Sequence, residues 1–206
     1  INNKIVVAHC PNTGSMFGLL EKGNKVWLSE TNNPKRKLKY TLQIIETSSS
    51  KVGVNTHLTN KIVYNALTNN FIKEFKNISI KSEVKFGKNT RFDFLVSNKK
   101  QKSFIEVKNV TLLRKKGIGE FPDAVTSRGL KHIEELLKAS KQGYKIYLLY
   151  VIQREDCNVF EIAKDLDPEY CQLLEKAVKK KLKVLCYDCK FSPKGIKLNR
   201  KIKFKI

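Results

Sequence analysis

Arg91-Phe92-Asp93-Phe94-Leu95-Val96, Ser97-Asn98-Lys99-Lys100-Gln101 and Phe104-Ile105-Glu106-Val107-Lys108 form the stretch whose reading decides the fold. Two runs rich in aromatic and β-branched residues flank a polar, turn-prone connection, which describes a β-hairpin. If Ser97 pairs with Lys102, antiparallel counting sets Asp93 directly across from Glu106. The two side chains would then lie about 5 Å apart on one face of the sheet. Strand alternation adds Lys108 to that face, two residues beyond Glu106. Like charges in such positions repel, so a half-buried carboxylate pair requires a counter-charge. A divalent cation, Mg²⁺ or Mn²⁺, supplies one through hard oxygen ligands and keeps waters available for a phosphate. Lys108 could then orient or deprotonate the attacking water, or stabilise charge developing on the phosphate. In the competing reading Asp93 and Glu106 pair with Arg91 and Lys108 as a surface charge ladder.

Around the hairpin the pattern alternates helices and strands. Leu58, Ile62, Ala66 and Leu67 recur at helical spacing, which predicts a helix over 57–69 capped by Asn55 or Thr56. Strands are expected over 80–86, 91–96 and 103–107, and a second helix over about 126–142, closed by Gly143. The apolar run 144–152 reads as a buried central strand. A third helix begins near Asp167-Pro168 and leads to a strand over 183–187. This order predicts an α/β domain with a mixed sheet over residues 51–206. Residues 1–50 read differently. Short β-rich runs at 5–8, 25–28 and 40–45 alternate with turns, as in a small OB-like β-barrel, and 48–51 reads as the linker out of it. The chain starts at Ile1 in a strand-like run without an initiator Met, so this first domain is expected to be incomplete.

Charge narrows the partner. Lys and Arg number 41 against 19 Asp and Glu, a formal net charge of +22. Such a charge opposes compaction, and a polyanion is the natural reason to keep it. Nucleic acid fits best, because binding releases counterions whatever the base sequence; a merely solvated basic surface is the alternative. No apolar run is long enough to span a membrane, and no signal peptide is evident. Five cysteines, an odd number without a secretory signal, point to reduced thiols in the cytoplasm. Cys186 and Cys189 spell half a zinc motif, but residues three apart on a strand face opposite ways, so no zinc is expected. Composition leaves homo-oligomerisation open.

Other polar groups have two readings each. Asn12 and Thr13, in His9-Cys10-Pro11-Asn12-Thr13-Gly14, belong to a tight turn or contact phosphate. Lys35, Arg36 and Lys37, with Trp27 and Tyr40, make a basic, aromatic surface suited to nucleic acid. Arg128, Lys131 and His132 share one helix face, either solvated or turned to a phosphate. Asp123 is a candidate helix cap, and Gln153 a strand-end residue that could reach the site.

Several of these stretches together resemble the sugar fermentation stimulation protein A family. They are the His9–Gly14 run, Asn33-Pro34-Lys35-Arg36-Lys37, Val54-Asn55-Thr56, Arg91-Phe92-Asp93-Phe94, Ile105-Glu106-Val107-Lys108-Asn109-Val110-Thr111, Phe121-Pro122-Asp123-Ala124-Val125-Thr126, and Arg128-Gly129 with Lys131-His132. The resemblance covers essentially the whole chain in order. An Asp followed across a hairpin by Glu-x-Lys also resembles the PD-(D/E)xK nuclease core. The resemblance implies an N-terminal OB-like domain, a C-terminal restriction-endonuclease-like domain and DNA binding without sequence specificity. Members have been considered regulators of sugar metabolism. It further implies Asp93, Glu106 and Lys108 as the catalytic set, with Asp93 and Glu106 on the metal and Arg128, Lys131 and His132 supporting phosphate. The chain departs from many such nucleases in one respect. The helix before the hairpin offers Asn55, Asn60 and Asn65 but no carboxylate, which leaves Glu83 as the nearest acidic residue. Two functions follow: a metal-dependent DNA phosphodiesterase, or a catalytically silent DNA-binding protein of the same fold.

Overall fold

The computed structural model describes every residue except Asn2. Of the strand-like run at 1–5, Asn2 lies outside the described residues, and Asn3, Lys4 and Ile5 form no strand. The first pairing is β1, Ala8–His9, which runs parallel to β3. β2 (Lys25–Glu30), β3 (Tyr40–Glu46) and β4 (Lys51–Gly53) complete a four-stranded sheet. β2 takes one edge of β3, while β1 and β4 share the other at different heights. Residues 48–51, expected as a linker, instead form the tight turn from β3 into β4. The Ser50 carbonyl accepts from the backbone N–H and the hydroxyl of Thr47.

The crossing to the second unit is hydrogen-bonded throughout. Asn55 caps a 3₁₀ turn at Thr56–Leu58 by accepting from the His57 N–H, and α1, Thr59–Thr68, continues from it. β5 (Ser79–Phe86), β6 (Thr90–Ser97) and β7 (Lys102–Val110) then run antiparallel in sequence. A short hairpin follows, β8 (Leu112–Lys115) and β9 (Ile118–Phe121). α2, Ser127–Lys141, starts at Thr126, whose hydroxyl accepts the Gly129 N–H. It stops where Gly143 takes φ +88°, a conformation that costs glycine little.

β10 (Lys145–Ile152) is buried from Ile146 to its end, as a central strand covered on both faces must be. β11, Val159–Ile162, precedes α3, Pro168–Lys179, whose N-cap Asp167 accepts the Tyr170 N–H with Pro168 at the first helical position. β12 (Lys183–Ser192), β13 (Gly195–Lys201) and β14 (Lys203–Lys205) close the chain. The main sheet has the order β13-β12-β10-β7-β6-β5, with β7, β10 and β12 mutually parallel. The expected mixed α/β sheet is therefore present. The sequence reading did not anticipate a second sheet, β14-β11-β9-β8, beside it.

Two apolar cores lie on opposite faces of the main sheet. α1 covers one with Ile62, Val63 and Leu67, against Val107, Leu149 and Leu185. α2 and α3 cover the other with Ile133, Leu136 and Leu174, against Phe104, Leu148 and Tyr150. Each fully buried Leu, Ile or Val contributes about 1.5–3 kcal/mol, so this two-sided cover is what holds β7 rigid. Cys186 packs into one core and Cys189 into the other, so the Cys-x-x-Cys pair does not converge. No helix among the described residues is long and apolar enough to cross a membrane.

Candidate functional site

β7 and β6 build the site at the point where they separate. The expected register holds: Ser97 pairs with Lys102 and Phe94 with Ile105. The ladder ends there, one pair short of Asp93 and Glu106. Phe92 and Phe94 are two residues apart yet pack into opposite cores, so the alternation of β6 breaks at Asp93. Asp93 Oδ2 accepts the Val107 backbone N–H at 2.7 Å, replacing the lost ladder bond. Its Oδ1 accepts from Asn60 Nδ2 on α1 at 2.7 Å.

Glu106 is almost fully buried, at 2% exposure. Its Oε1 accepts from Lys108 Nζ at 2.8 Å and lies in very short contact with His132 Nδ1. Lys108 Nζ is also 3.2 Å from that His132 nitrogen. Lys108 thus shares the site face with Glu106, as alternation predicts. The other oxygen, Glu106 Oε2, is buried with no hydrogen-bond partner.

The two carboxyls are driven apart in acidity. Burial and the Glu106 charge push Asp93 up to about 6, against the N–H of Val107, Asn60 and Lys108. Burial also pushes Glu106 up, but Lys108 and His132 together outweigh it and hold Glu106 below its ordinary value.

A cavity of about 340 Å³ opens over these groups. Asp93, Glu106, Lys108, Arg128 and His132 line it, and so do Asn12, Thr13 and Gly14 from the N-terminal unit. Asn12 sits in a tight turn, its Oδ1 accepting the Gly14 N–H, and the same loop forms one wall of the cavity. Asp123, expected as a cap, does something else. Thr126 caps α2, while Asp123 Oδ2 accepts the Ser15 backbone N–H at 2.8 Å and clasps the loop over the site.

The structure brings some expected residues together and scatters others. Lys131 points away from Arg128 and His132, donating to the Asn89 carbonyl beside a second groove. Glu83 is exposed, at φ +55°, and touches the site only through Asn60 Nδ2 at 3.4 Å. Neither Asn55 nor Gln153 lines the cavity. Asn55 donates to Gln43 Oε1 across the junction of the two units. Gln153 donates to Thr59 and Asn109 and is fully buried, with its carbonyl oxygen against Gly53. Lys35, Arg36 and Lys37 are exposed on the β2–β3 loop and do not line the cavity. Trp27 is nearby in the same sheet, 43% exposed, with Lys25 and Lys51 ammoniums 5.3 and 5.2 Å from its ring.

Sequence reasoning missed Asn109, Thr111 and Glu120 as lining residues. Glu120 lies on β9 of the second sheet, where Arg114 Nη2 donates to it at 2.7 Å, and so short a strand carries too little periodicity to place it. No third acidic group joins Asp93 and Glu106 in a cation-binding cluster among the described residues. The donor set still fits a hard cation. Glu106 Oε2 lacks a partner, and each Asp93 oxygen takes a single hydrogen bond, leaving acceptor capacity on both residues.

The same chain order and fold recur in known proteins. The family model described as the sugar fermentation stimulation protein RE domain matches residues 57–195, and the SfsA N-terminal OB domain matches residues 1–54. The sugar fermentation stimulation protein homolog of Pelagibacter ubique is 55% identical over 98% of this chain and 88% of its own length. The homolog of Pseudoalteromonas atlantica is 44% identical over the same shares. Among solved structures, Pyrococcus furiosus SfsA in complex with Ca²⁺ superposes with a TM-score of 0.90. It is 23% identical and covers all of this chain and 88% of its own. At that identity the likeness shows the fold.

Proposed function

The chain belongs to the sugar fermentation stimulation protein family, and on that premise we propose that it binds DNA without sequence preference and hydrolyses its phosphodiester bonds with Mg²⁺ or Mn²⁺. The observation that carries this reading is the buried, partnerless Glu106 Oε2 beside an Asp93 carboxyl raised by burial. With no cation the ionised Asp93 is an electrostatic cost in this cavity; with one, the two carboxyls are a ligand pair. The Ca²⁺ bound by the Pyrococcus furiosus relative is a cation of the same oxygen-seeking class. The PD-(D/E)xK pattern assigns the same residues: Asp93 from the first arm, Glu106 and Lys108 from the second.

The chemistry divides among named atoms. Asp93 and Glu106 would hold the cation, which would supply Lewis-acid polarisation of a bound phosphate and lower the pKa of a water. Lys108 Nζ, anchored on Glu106 at 2.8 Å, faces negative charge growing on the phosphoryl oxygens. His132 Nδ1 is engaged with Glu106, so the imidazole is oriented and its Nε2 is left for a proton of water or leaving group. Arg128, exposed on the cavity rim, offers a bidentate grip on an adjacent phosphate. Asn12 and Thr13 bring the N-terminal unit to the same phosphate chain. The +22 charge supplies sequence-independent affinity. A DNA partner is consistent with the cytoplasmic location expected from the sequence.

The silent DNA-binding alternative draws on Asn60, a neutral amide on the helix before the hairpin, which donates to Asp93. Incubation with end-labelled DNA, with and without Mg²⁺ or Mn²⁺, separates the two. Metal-dependent cleavage lost in Asp93→Ala is expected; cleavage absent under every metal leaves only the silent reading. Affinity that does not fall between low and moderate salt would remove DNA binding itself.

A further inference from the structure

We infer that the groove between α2 and the β5–β6 turn is a subsite for single-stranded DNA leaving the carboxylate cavity. This rests on the phosphodiesterase reading for the cavity, though not for the groove's own affinity.

The groove encloses about 590 Å³. Its rim carries Lys85, Lys88, Lys131 and Lys138. Glu135 is the acidic group among its lining residues, and Lys138 neutralises it at 2.7 Å. Lys85, Lys88 and Lys131 form no ion pair among the described residues, so three cationic heads are left for phosphate.

The floor is aromatic. Phe86 and Phe104 lie 5.5 Å apart and Phe104 and Tyr144 4.7 Å, ring centre to ring centre. Phe104 is buried, while Phe86 and Tyr144 are partly buried against the same core and line the groove. Cationic rims over aromatic floors are what sequence-tolerant single-strand binding needs: ammoniums track the backbone and rings accept unpaired bases. A duplex keeps its base faces stacked inside and has none to offer this floor.

Position ties the groove to the cavity. Phe104 and Glu106 stand on the same face of β7, two residues and about 6.8 Å apart, within the reach of one extended nucleotide. On α2, Arg128 and His132 face the cavity, while Lys131, Glu135 and Lys138 face the groove. Lys131 marks the boundary, tied to the hairpin turn at the Asn89 carbonyl by 3.2 Å. From His132 to Lys138 the helix advances about 9 Å, so the strand has room for further nucleotides beyond the cavity.

The test measures affinity of the full chain for a fluorescein-labelled thymidine 20-mer and a blunt 20-base-pair duplex, without divalent metal. The single strand is expected to bind more tightly. Tyr144→Leu, which keeps apolar bulk but removes the ring, is expected to weaken the single strand about five- to tenfold and leave the duplex unchanged. The exposed pair Lys85→Ser with Lys88→Ser should weaken it too, with unchanged unfolding temperature. Equal affinity for both probes, or single-strand affinity unmoved by both variants, overturns the inference. Asp93→Asn keeps every groove contact and should bind the 20-mer normally while losing metal-dependent cleavage. Groove effects intact with no cleavage in any protein would reject the phosphodiesterase reading and still uphold the groove as a strand-binding site.

Discussion

Asp93 accepts the backbone N–H of Val107 across the gap where β6 leaves β7, so a cavity-lining carboxylate doubles as the last rung of the sheet. That dual role explains how a side chain raised to about 6 stays inside the fold, and it makes the site measurable through stability.

Asp93→Asn should stabilise the metal-free protein at neutral pH. The folded value of about 6 lies above the ordinary 3.8, so the favourable contribution is complete below 3.8 and is lost as pH rises through 6. A rise from 3.8 to about 6 corresponds to about 3 kcal/mol at pH 7 or above. The amide keeps an acceptor for the Val107 N–H, and Asn60 can turn its own amide to match. Urea denaturation at pH 4 and pH 8 checks this: the variant should match the wild type at pH 4 and exceed it at pH 8.

Metal should reverse that order. A bound divalent cation favours the ionised Asp93, so Mg²⁺ or Mn²⁺ should raise the wild-type unfolding temperature above pH 6. The effect should fade below pH 6 and vanish in Asp93→Asn. Thermal unfolding with and without metal across that range reads it directly. Equal stabilisation of both proteins would place the metal elsewhere.

Lys108→Met leaves Glu106 buried with His132 as its remaining charge partner. Breaking a buried pair costs about 3–5 kcal/mol. In the wild type Glu106 is held low, so its contribution is present above 4.5 and lost as pH falls. Without Lys108, burial, the largest influence on this carboxyl, should be opposed by His132 alone and should raise it, reversing the sign. The deficit of the variant should therefore grow from pH 5 to pH 8 in urea titrations, alongside loss of cleavage.

Asp123→Ala removes the clasp on the Asn12–Gly14 loop. The bond is solvent-exposed, so stability should change by less than about 1 kcal/mol. Cleavage should slow more than stability falls, because the loop walls the cavity. Gly14→Ala should act in the same direction, since an added Cβ there would collide with the Asp123 carboxylate. Single-turnover cleavage beside thermal unfolding separates the two effects.

Replacing Lys35, Arg36 and Lys37 together by Ala should lower the slope of log affinity against log salt for duplex DNA by about 2–3. The metal dependence of cleavage should be unaltered, because the three residues do not line the cavity. A slope that does not move removes this loop from the DNA-binding surface.

Local signals in the sequence determined much of this protein. The hairpin register followed from a polar turn and two β-rich arms, and helical spacing located all three α-helices within a residue or two. Glu106 and Lys108 shared a face because strand periodicity is two. The second sheet escaped because β8, β9, β11 and β14 are three or four residues long and, apart from the β8–β9 hairpin, pair across wide sequence gaps. Tertiary structure alone decided the rest of the site. Packing of α2 on the sheet brought His132 onto Glu106 and turned Lys131 toward a separate groove. Docking of the N-terminal unit carried Asn12 and Thr13 to the cavity and redirected Asp123 from capping to clasping. Whether a side chain two strands or one helix away meets a carboxylate depends on how apolar faces are buried together, which no short stretch of sequence encodes.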